Sequence, residues 1–405
     1  MNNMQDPYKQ INNLQQCLSS DKRPLGFFIG AGCPLAVKMG EGKSTPIIPD
    51  IAGITEAVRT GLLKDEECEP IQKIVETHFK DDGRENTNVE DILSHIRALR
   101  VVAGKDKVRN LSAEDIDKLD SKICKIIHEL VDKELPNTET PYHQVALWLE
   151  ATIREKPVEL FTTNYDLLME QACEDYRVPY FDGFAGSRRP FFDIRAMEED
   201  TLPPRWARLW KLHGSINWCQ DPTKGVCRGL TSGPEIKRVI HPSHLKYDES
   251  RRMPYLAMMD RLRAFLKQPS VALVICGYSF RDDHINEVII QGLQGTQTAV
   301  AFALLYDKID GYSKAVRLAR ERRNLILLAS DGGIISGNEA KWIERENDSV
   351  PSESHIGITW VPIDQKETDG KSKAELTLGD FSVLGQFLND LVGRIRQSSE
   401  VSNVK

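Results

Sequence analysis

Short runs of apolar residues alternate along the chain with segments in which apolar residues recur every three or four positions. The runs have the length of buried strands, and the recurring pattern is typical of amphipathic helices. Buried strands that alternate with helices predict an α/β fold built on a doubly wound, parallel, Rossmann-like sheet. The predicted strands lie in PLGFFIGAG (24–32), PVELFTTN (157–164), VPYFDGF (178–184), RLWKLHG (208–214), SVALVICGYSF (270–280), TAVAFALLYD (298–307) and NLILLAS (324–330).

Between residues 55 and 140 the pattern changes to continuous helical periodicity with dense charge, which predicts a helical insertion in the sheet domain. One helix face within it carries apolar residues at Val89, Ile92, Leu93, Ile96 and Leu99. The other predicted parts are an N-terminal helical segment (1–23), the sheet domain in two pieces (24–54 and 141–345) and a C-terminal segment that ends in a helix (346–405).

The composition is that of an ordinary soluble globular protein, with 40 % apolar and 28 % charged residues over 405 positions. A net charge of −7 argues against direct nucleic-acid binding by the chain as a whole. No apolar run approaches the roughly 20 residues that cross a bilayer, and the first residues, MNNMQDPYKQ, lack the pattern of a signal peptide. We therefore expect a cytoplasmic protein with no membrane partner.

The eight cysteines contain no C-x-x-C pair. A tetrahedral zinc site needs four ligands, which are usually presented as pairs at short spacing. Cys219 and Cys227 lie close in sequence, but one loose pair cannot complete such a site. We expect no bound metal and predict reduced thiols.

Polar residues and glycines follow four of the predicted strands. In a parallel α/β sheet, ligands bind beyond the carboxyl ends of the strands, so neighbouring strands would bring these residues to one pocket. The residues concerned are Gly30, Gly32, Asn164, Asp166, His213, Gly277 and Ser279.

Each of these residues also has an explanation that needs no ligand. Gly30 and Gly32 could bring backbone N–H groups to a phosphate or could simply form a tight turn, and the dinucleotide fingerprint G-x-G-x-x-G fails at Leu35. Asp50 lies twenty residues after Gly30, where that fingerprint places a ribose-binding acid, but its loop-like surroundings make the spacing a coincidence.

The other polar residues could serve the fold alone. Asn164 or Asp166 could cap a helix starting near Tyr165, and Asp282 could cap the helix after the Gly277–Ser279 turn. His213 could be a hydrogen-bonded histidine near the core. Four segments with polar residues at the same end of the sheet favour the ligand-binding interpretation.

The ordered set of short motifs resembles the sirtuin family over roughly residues 24–330, apart from the insertion. Sirtuins carry a G-A-G turn, a T-Q-N-x-D motif, an H-G pair and a later G-T-S-like turn. The corresponding residues are Gly30-Ala31-Gly32, Thr162-Thr163-Asn164-Tyr165-Asp166, His213-Gly214 and Gly277-Tyr278-Ser279.

Some departures point away from the deacetylase sirtuins. The P-D-F-R loop of those enzymes is only half present here, because Ile51-Ala52 follows Pro49-Asp50. Cys33-Pro34 follows the G-A-G turn, where those enzymes usually have a serine shortly after it, and their four-cysteine zinc module is missing. The chain is more similar to the sirtuin-like NAD hydrolases of bacterial anti-phage defence. Its length and insertion are most similar to the sirtuin-like partner of a HerA-type hexameric ATPase.

The resemblance implies that NAD is the substrate and that nicotinamide and ADP-ribose are the products, with no metal. Asn164 would position the ribose and a water molecule, and Asp166 would lie near the nicotinamide amide. His213 would accept a proton, a role that suits histidine because its unperturbed pKa is ~6.5. The implied NAD-binding residues are Gly30, Ala31, Gly32, Cys33, Asp50, Thr163, Asn164, Asp166, Gly277, Ser279 and Asp282.

Two rival functions remain open at this point. A protein-lysine deacylase would need a module for the acyl peptide, and a scaffold that binds NAD or ADP-ribose would not need both Asn164 and His213. We also expect a homo-oligomer that docks a HerA-type hexameric ATPase, partly from the resemblance and partly because amphipathic segments at 7–20 and 381–397 lie outside the sheet domain.

Overall fold

The computed structural model describes residues 4–40, 44–85, 87–221, 225–229, 237–240, 254–351, 355–363 and 370–403. Its strands are β1 (Met4–Gln5), β2 (Leu25–Ile29), β3 (Lys38–Met39), β4 (Thr45–Pro46), β5 (Val158–Thr162), β6 (Tyr180–Phe181), β7 (Phe184–Ala185), β8 (Phe191–Phe192), β9 (Ala207–Lys211), β10 (Gly214–Asp221), β11 (Gly225–Arg228), β12 (Lys237–Ile240), β13 (Ala272–Cys276), β14 (Val300–Leu304), β15 (Leu325–Leu328), β16 (Gly332–Ile335), β17 (Asn338–Trp342), β18 (Glu344–Glu346), β19 (Ile358–Pro362) and β20 (Lys371–Leu376).

The α-helices of the described residues surround these strands. They are α1 (Pro7–Ser19), α2 (Ile51–Leu63), α3 (Glu69–Asp81), α4 (Val89–Val102), α5 (Ala113–Val131), α6 (Pro141–Ala151), α7 (Leu168–Asp175), α8 (Ile194–Glu199), α9 (Tyr255–Leu266), α10 (Asp283–Gly295), α11 (Ser313–Glu321) and α12 (Phe381–Asn403). None of the helices in these stretches combines the length and the hydrophobicity that a membrane crossing requires.

The main sheet confirms the predicted fold class. Its strand order is β1-β17-β16-β15-β14-β13-β2-β5-β9-β6, and the part from β15 to β6 is parallel throughout. On one side of β2 lie β5, β9 and β6, and on the other side lie β13 and then β14. The strand order therefore reverses between β2 and β13, and such a reversal opens a crevice at the carboxyl ends of the strands.

Side chains along each central strand alternate between two helical layers. Phe27 of β2 and Val274 of β13 pack with α1, α6, α12 and the insertion, whereas Phe28 and Ile275 pack with α9, α10 and α11. Because both faces are covered, the strands are apolar along their whole length, which made them detectable in the sequence.

Four helices, α2 to α5, occupy the predicted insertion. The first begins at Ile51, four residues before the predicted boundary of 55, where the Asp50 side chain caps it. The predicted apolar stripe on α4 is buried and belongs to the same core cluster as the β2 side chains that face this layer. The insertion is thus packed onto the sheet.

The amphipathic segments near the two chain ends also face this core. In α1, Ile11, Leu14 and Leu18 are buried, and α12 packs along α6 with Leu384 and Leu388 buried. The chain therefore covers these stripes itself, so they give no support to the expected oligomer and ATPase partner, which stay predictions.

Several strands were not predicted from the sequence. The hairpin β16–β17 extends the main sheet, and smaller sheets are formed by β12-β10-β11-β8-β7, β18-β20-β19 and β3-β4. These strands are short or rich in polar residues, so they are recognised by their backbone pairing with neighbouring strands and not by an apolar run in the sequence. In addition, α7 begins at Leu168 rather than near Tyr165, because residues after β5 form a loop at the sheet edge.

Candidate functional site

The carboxyl ends of four neighbouring strands lie level with one another. Ile29 of β2 pairs with Thr162 of β5 on one side and with Cys276 of β13 on the other. Thr162 pairs in turn with Lys211 of β9. The residues that follow these four positions therefore emerge along one edge of the sheet, which we call the rim.

The two glycine turns of the rim, after β2 and β13, pack against each other. A Cβ atom on Gly30 would lie 2.3 Å from the Gly277 carbonyl oxygen, and one on Gly32 would lie 3.0 Å from the Gly277 Cα. The Gly30 N–H donates to the Cys276 carbonyl at 2.9 Å, and the Gly32 N–H donates to the Gly277 carbonyl at 2.8 Å. The glycines thus allow two loops to touch, and both N–H groups are satisfied within the rim.

Asn164 is fixed by the backbone of the neighbouring strand. Its Nδ2 donates to the Gly30 carbonyl at 3.1 Å, and its backbone N–H donates to Thr162 Oγ1 at 3.0 Å. The side chain is only 8 % exposed, and its Oδ1 atom is buried without a hydrogen-bond partner in the described chain. Such an orphan acceptor costs about 1–3 kcal/mol, which a hydrogen-bond donor on a ligand would relieve.

His213 pairs with Asp282, a contact that we did not predict from the sequence. Its Nε2 lies 3.0 Å from Asp282 Oδ2, and both side chains are nearly buried. The other carboxylate oxygen of Asp282 accepts the N–H groups of His284 and Ile285 and so caps α10. A carboxylate fixed in this way can orient an imidazole and stabilise its protonated form.

Asp166 is buried at the base of the rim loop. Its Oδ1 accepts the N–H of Leu168, the first residue of α7, at 3.0 Å. The capping position of α7 is Leu167, so neither Asn164 nor Asp166 is the cap residue of this helix. Burial raises the pKa of Asp166, and the nearby Lys211 ammonium group opposes this rise. Lys211 donates to Glu170 at 2.9 Å and to the Asp166 carbonyl, which ties the loop to β9 and α7.

A cavity of about 440 Å³ lies at the rim, within the usual size range for small-molecule sites. The rim supplies part of its wall, and the helical insertion supplies another part through Asn88, Glu90 and Val131. The site is therefore built jointly by the sheet and the insertion.

Three helix N-termini meet at this cavity. The residues that cap α2, α4 and α10 are Asp50, Asn88 and Asp282, and all three line it. Helix N-termini carry partial positive charge and favour anionic groups, although the capping carboxylates offset part of this field. The exposed guanidinium group of Arg281 also lines the cavity. This combination suits a ligand that carries both phosphate and hydrogen-bond donors.

Most of the predicted site residues line the cavity, and three do not. Gly30, Gly32 and Cys33 are not among its lining residues, and Cys33 is fully buried, with a pKa raised well above its usual value by burial. The predicted residues that line the cavity are Ala31, Asp50, Thr163, Asn164, Asp166, His213, Gly277, Ser279 and Asp282.

Sequence reasoning missed three features of the site. Tyr165, within the T-T-N-Y-D motif, lines the cavity, and so does Glu90 of the insertion. The pairing of His213 with Asp282 was also missed. Both of these residues follow predicted strands, so their position at one edge was a usable signal, whereas nothing in the sequence linked Glu90 to the rim.

The described residues contain no group of three or more His, Cys, Asp or Glu side chains that could hold a metal ion. Cys219 and Cys227 lie opposite each other on β10 and β11, with their Sγ atoms 2.7 Å apart.

One comparison with known protein families agrees with the motifs over part of the chain. The family model described as "SIR2-like domain" matches residues 158–327, from β5 into β15. A solved structure described as "Structural Basis for the Mechanism and Regulation of Sir2 Enzymes" aligns over 74 % of this chain and 86 % of that chain, with 13 % identity and a TM-score of 0.37. A search of curated proteins found no match. The matched family segment contains Asn164, His213 and Asp282, and the insertion lies outside it.

Proposed function

We propose that the protein hydrolyses NAD to nicotinamide and ADP-ribose, without a metal. The proposal is supported by a SIR2-like segment whose polar rim residues border one cavity. The observation that carries it is the buried Asn164 Oδ1 atom, which has no partner within the described residues. A hydroxyl group of the NAD ribose is a hydrogen-bond donor of the kind this oxygen requires.

The rest of the cavity suits the remaining parts of NAD. The three helix N-termini and Arg281 offer partial and full positive charge to the pyrophosphate. Ala31, Thr163, Gly277 and Ser279 would contact the dinucleotide along the rim. Asp166, which lines the cavity, would hydrogen-bond to the nicotinamide carboxamide.

The chemistry requires one bond to break and one proton to move. The bond between the ribose anomeric carbon and the nicotinamide nitrogen breaks, and its electron pair passes to the ring nitrogen, which loses its positive charge. Water adds to the anomeric carbon and releases a proton. Asn164 would hold the ribose and the water, and His213 would accept the proton.

The His213–Asp282 pair fits this role for His213. When Nε2 donates to the Asp282 carboxylate, the lone pair of the neutral ring lies on Nδ1. The carboxylate also stabilises the imidazolium ion that forms when Nδ1 takes the proton. Asp282 would thus act as a positioning residue in addition to capping α10.

The shape of the cavity supports water, rather than the acyl oxygen of an acylated protein lysine, as the group that attacks the ribose. Residues from α4 and α5 form part of its wall, so the insertion occupies space beside the rim. A cavity of about 440 Å³ bounded in this way suits a small ligand. This observation supports hydrolysis rather than the deacylase alternative.

The direct test is nicotinamide release by the Asn164→Ala and His213→Ala variants. Loss of a general base costs about 10²–10⁴ in rate, and we expect both variants to lose NAD cleavage while remaining folded. The exposed residue Asn12, on α1, provides a control, and Asn12→Ala should cleave NAD at the parent rate. Near-parent turnover in both cavity variants would refute the assignment, and failure of both to fold would indicate a structural role instead.

We also propose the biological setting that the sequence resemblance implies. The protein would be a cytoplasmic homo-oligomer that docks a HerA-type hexameric ATPase and depletes NAD in an anti-phage response. Mass measurement in solution with and without such an ATPase tests this idea. A monomer at micromolar concentration whose mass is unchanged by the ATPase would remove it.

A further inference from the structure

Glu90 places a carboxylate of the helical insertion in the cavity wall. It is the second residue of α4 and is partly exposed, and no hydrogen bond or ion pair to its carboxylate occurs among the described residues. The cap of α4 is already complete without it, because Asn88 and Asp91 bond reciprocally to each other's backbone N–H groups. The Glu90 carboxylate is therefore available to a ligand.

The position of Glu90 relates it to one end of the cavity. Tyr165 also lines the cavity and lies between Asn164 and Asp166 in the chain, and its hydroxyl is buried without a partner within the described structure. Burial raises the pKa of that hydroxyl, and the nearby Glu90 charge adds to the rise. Glu90 thus lies near the end of the cavity formed by the T-T-N-Y-D motif.

We infer that Glu90 is a specificity-determining residue that recognises the cationic nicotinamide–ribose half of NAD. This inference rests on the proposed function, which assigns that half of the substrate to Asn164 and Asp166. A carboxylate in a partly enclosed cavity attracts the positively charged pyridinium ring, which ADP-ribose lacks. The insertion would then contribute directly to the choice of substrate.

Binding to a catalytically inactive protein separates this role from catalysis. In the His213→Ala background, dissociation constants for NAD and for ADP-ribose are measured by calorimetry with and without Glu90→Gln. ADP-ribose lacks the nicotinamide and its positive charge. We expect Glu90→Gln to weaken NAD binding about 10- to 100-fold, because the variant loses the attraction between the carboxylate and the pyridinium charge, and to change ADP-ribose binding less than about threefold.

Glu114 offers a matched control. It is the second residue of α5, which has the same kind of reciprocal cap, but Glu114 is exposed and does not line the cavity. Glu114→Gln removes the same favourable charge from a helix N-terminus and should leave both dissociation constants unchanged.

Two results would overturn the inference. Equal weakening of NAD and ADP-ribose would give Glu90 a structural role, and no change in either would place it away from the nicotinamide end. If the protein with Glu90 intact binds neither compound, the proposed function itself fails, and that outcome is recognised before any variant of Glu90 is compared.

Discussion

Replacing Gly30 by alanine tests whether the rim glycines serve loop packing. The added Cβ would lie 2.3 Å from the Gly277 carbonyl oxygen and 2.8 Å from the Tyr278 Cα, whereas ordinary contact begins at 3.4 Å. All of these obstacles are backbone atoms, which cannot rotate away as a side chain can. The two loops would have to separate by roughly 1 Å in a closely packed region.

The cost can be worked out from these contacts. Overpacking of this kind typically destabilises a protein by ~1–3 kcal/mol, and weakening the Gly32–Gly277 hydrogen bond would add ~0.5–1.5 kcal/mol. We therefore expect Gly30→Ala to lower the free energy of unfolding by about 2–4 kcal/mol. Gly32→Ala should cost less, because its nearest contact is 3.0 Å.

Urea unfolding followed by circular dichroism measures this ranking. Gly295→Ala is the control, since no atom lies within 4 Å of its Cβ position and it ends α10 with an ordinary backbone conformation. That variant should stay within about 1 kcal/mol of the parent. If Gly30→Ala matches the parent in stability but loses NAD binding, the glycine acts on the ligand directly and our packing argument is wrong.

Two further predictions concern Asp282 and the insertion. Asp282→Ala should lose the α10 cap, which costs about 1 kcal/mol of stability, and should slow NAD cleavage by about 10²-fold. Asp282→Ser should recover the cap but not the rate, because a serine cannot reach His213. Equal rates in the parent and the serine variant would contradict the orienting role. In the insertion, burial and the charge of His78 lower the pKa of His95 in the folded protein. The unfolded chain therefore binds a proton at this histidine more readily than the folded chain does. The stability that is present above pH ~6.5 is lost as the pH falls from ~6.5 toward the pKa of folded His95. Urea midpoints from pH 8 to pH 5 should show this loss, and His95→Gln should reduce it; an unchanged slope would exclude His95 as the source.

The sheet and one side of the site were predictable because their signals are local. Each central strand is a buried apolar run, and a parallel register places all of their carboxyl ends at one edge, so Asn164 and His213 could be brought together without coordinates. The match of the family model to residues 158–327 agrees with this part of the prediction.

The other side of the site depends on packing between distant segments. Glu90 looked like an ordinary first-turn acid of an amphipathic helix, and only the placement of α4 against the rim brings it near Tyr165. Similarly, the sequence left both a phosphate site and a tight turn open for the glycine turn, because it could not reveal that Gly277 fills the space against Gly30. Such contacts depend on how the insertion and the loops dock, which residue periodicity does not specify.

Product analysis of the purified full-length chain with NAD tests the central claim most directly. The reaction is run with and without an acetylated peptide and a HerA-type ATPase, and nicotinamide, ADP-ribose and acyl-ADP-ribose are quantified. Our account predicts one nicotinamide and one ADP-ribose per NAD consumed without peptide, and loss of both products in Asn164→Ala. Nicotinamide release that requires the peptide and yields acyl-ADP-ribose, or NAD binding with no cleavage under any of these conditions, would contradict it.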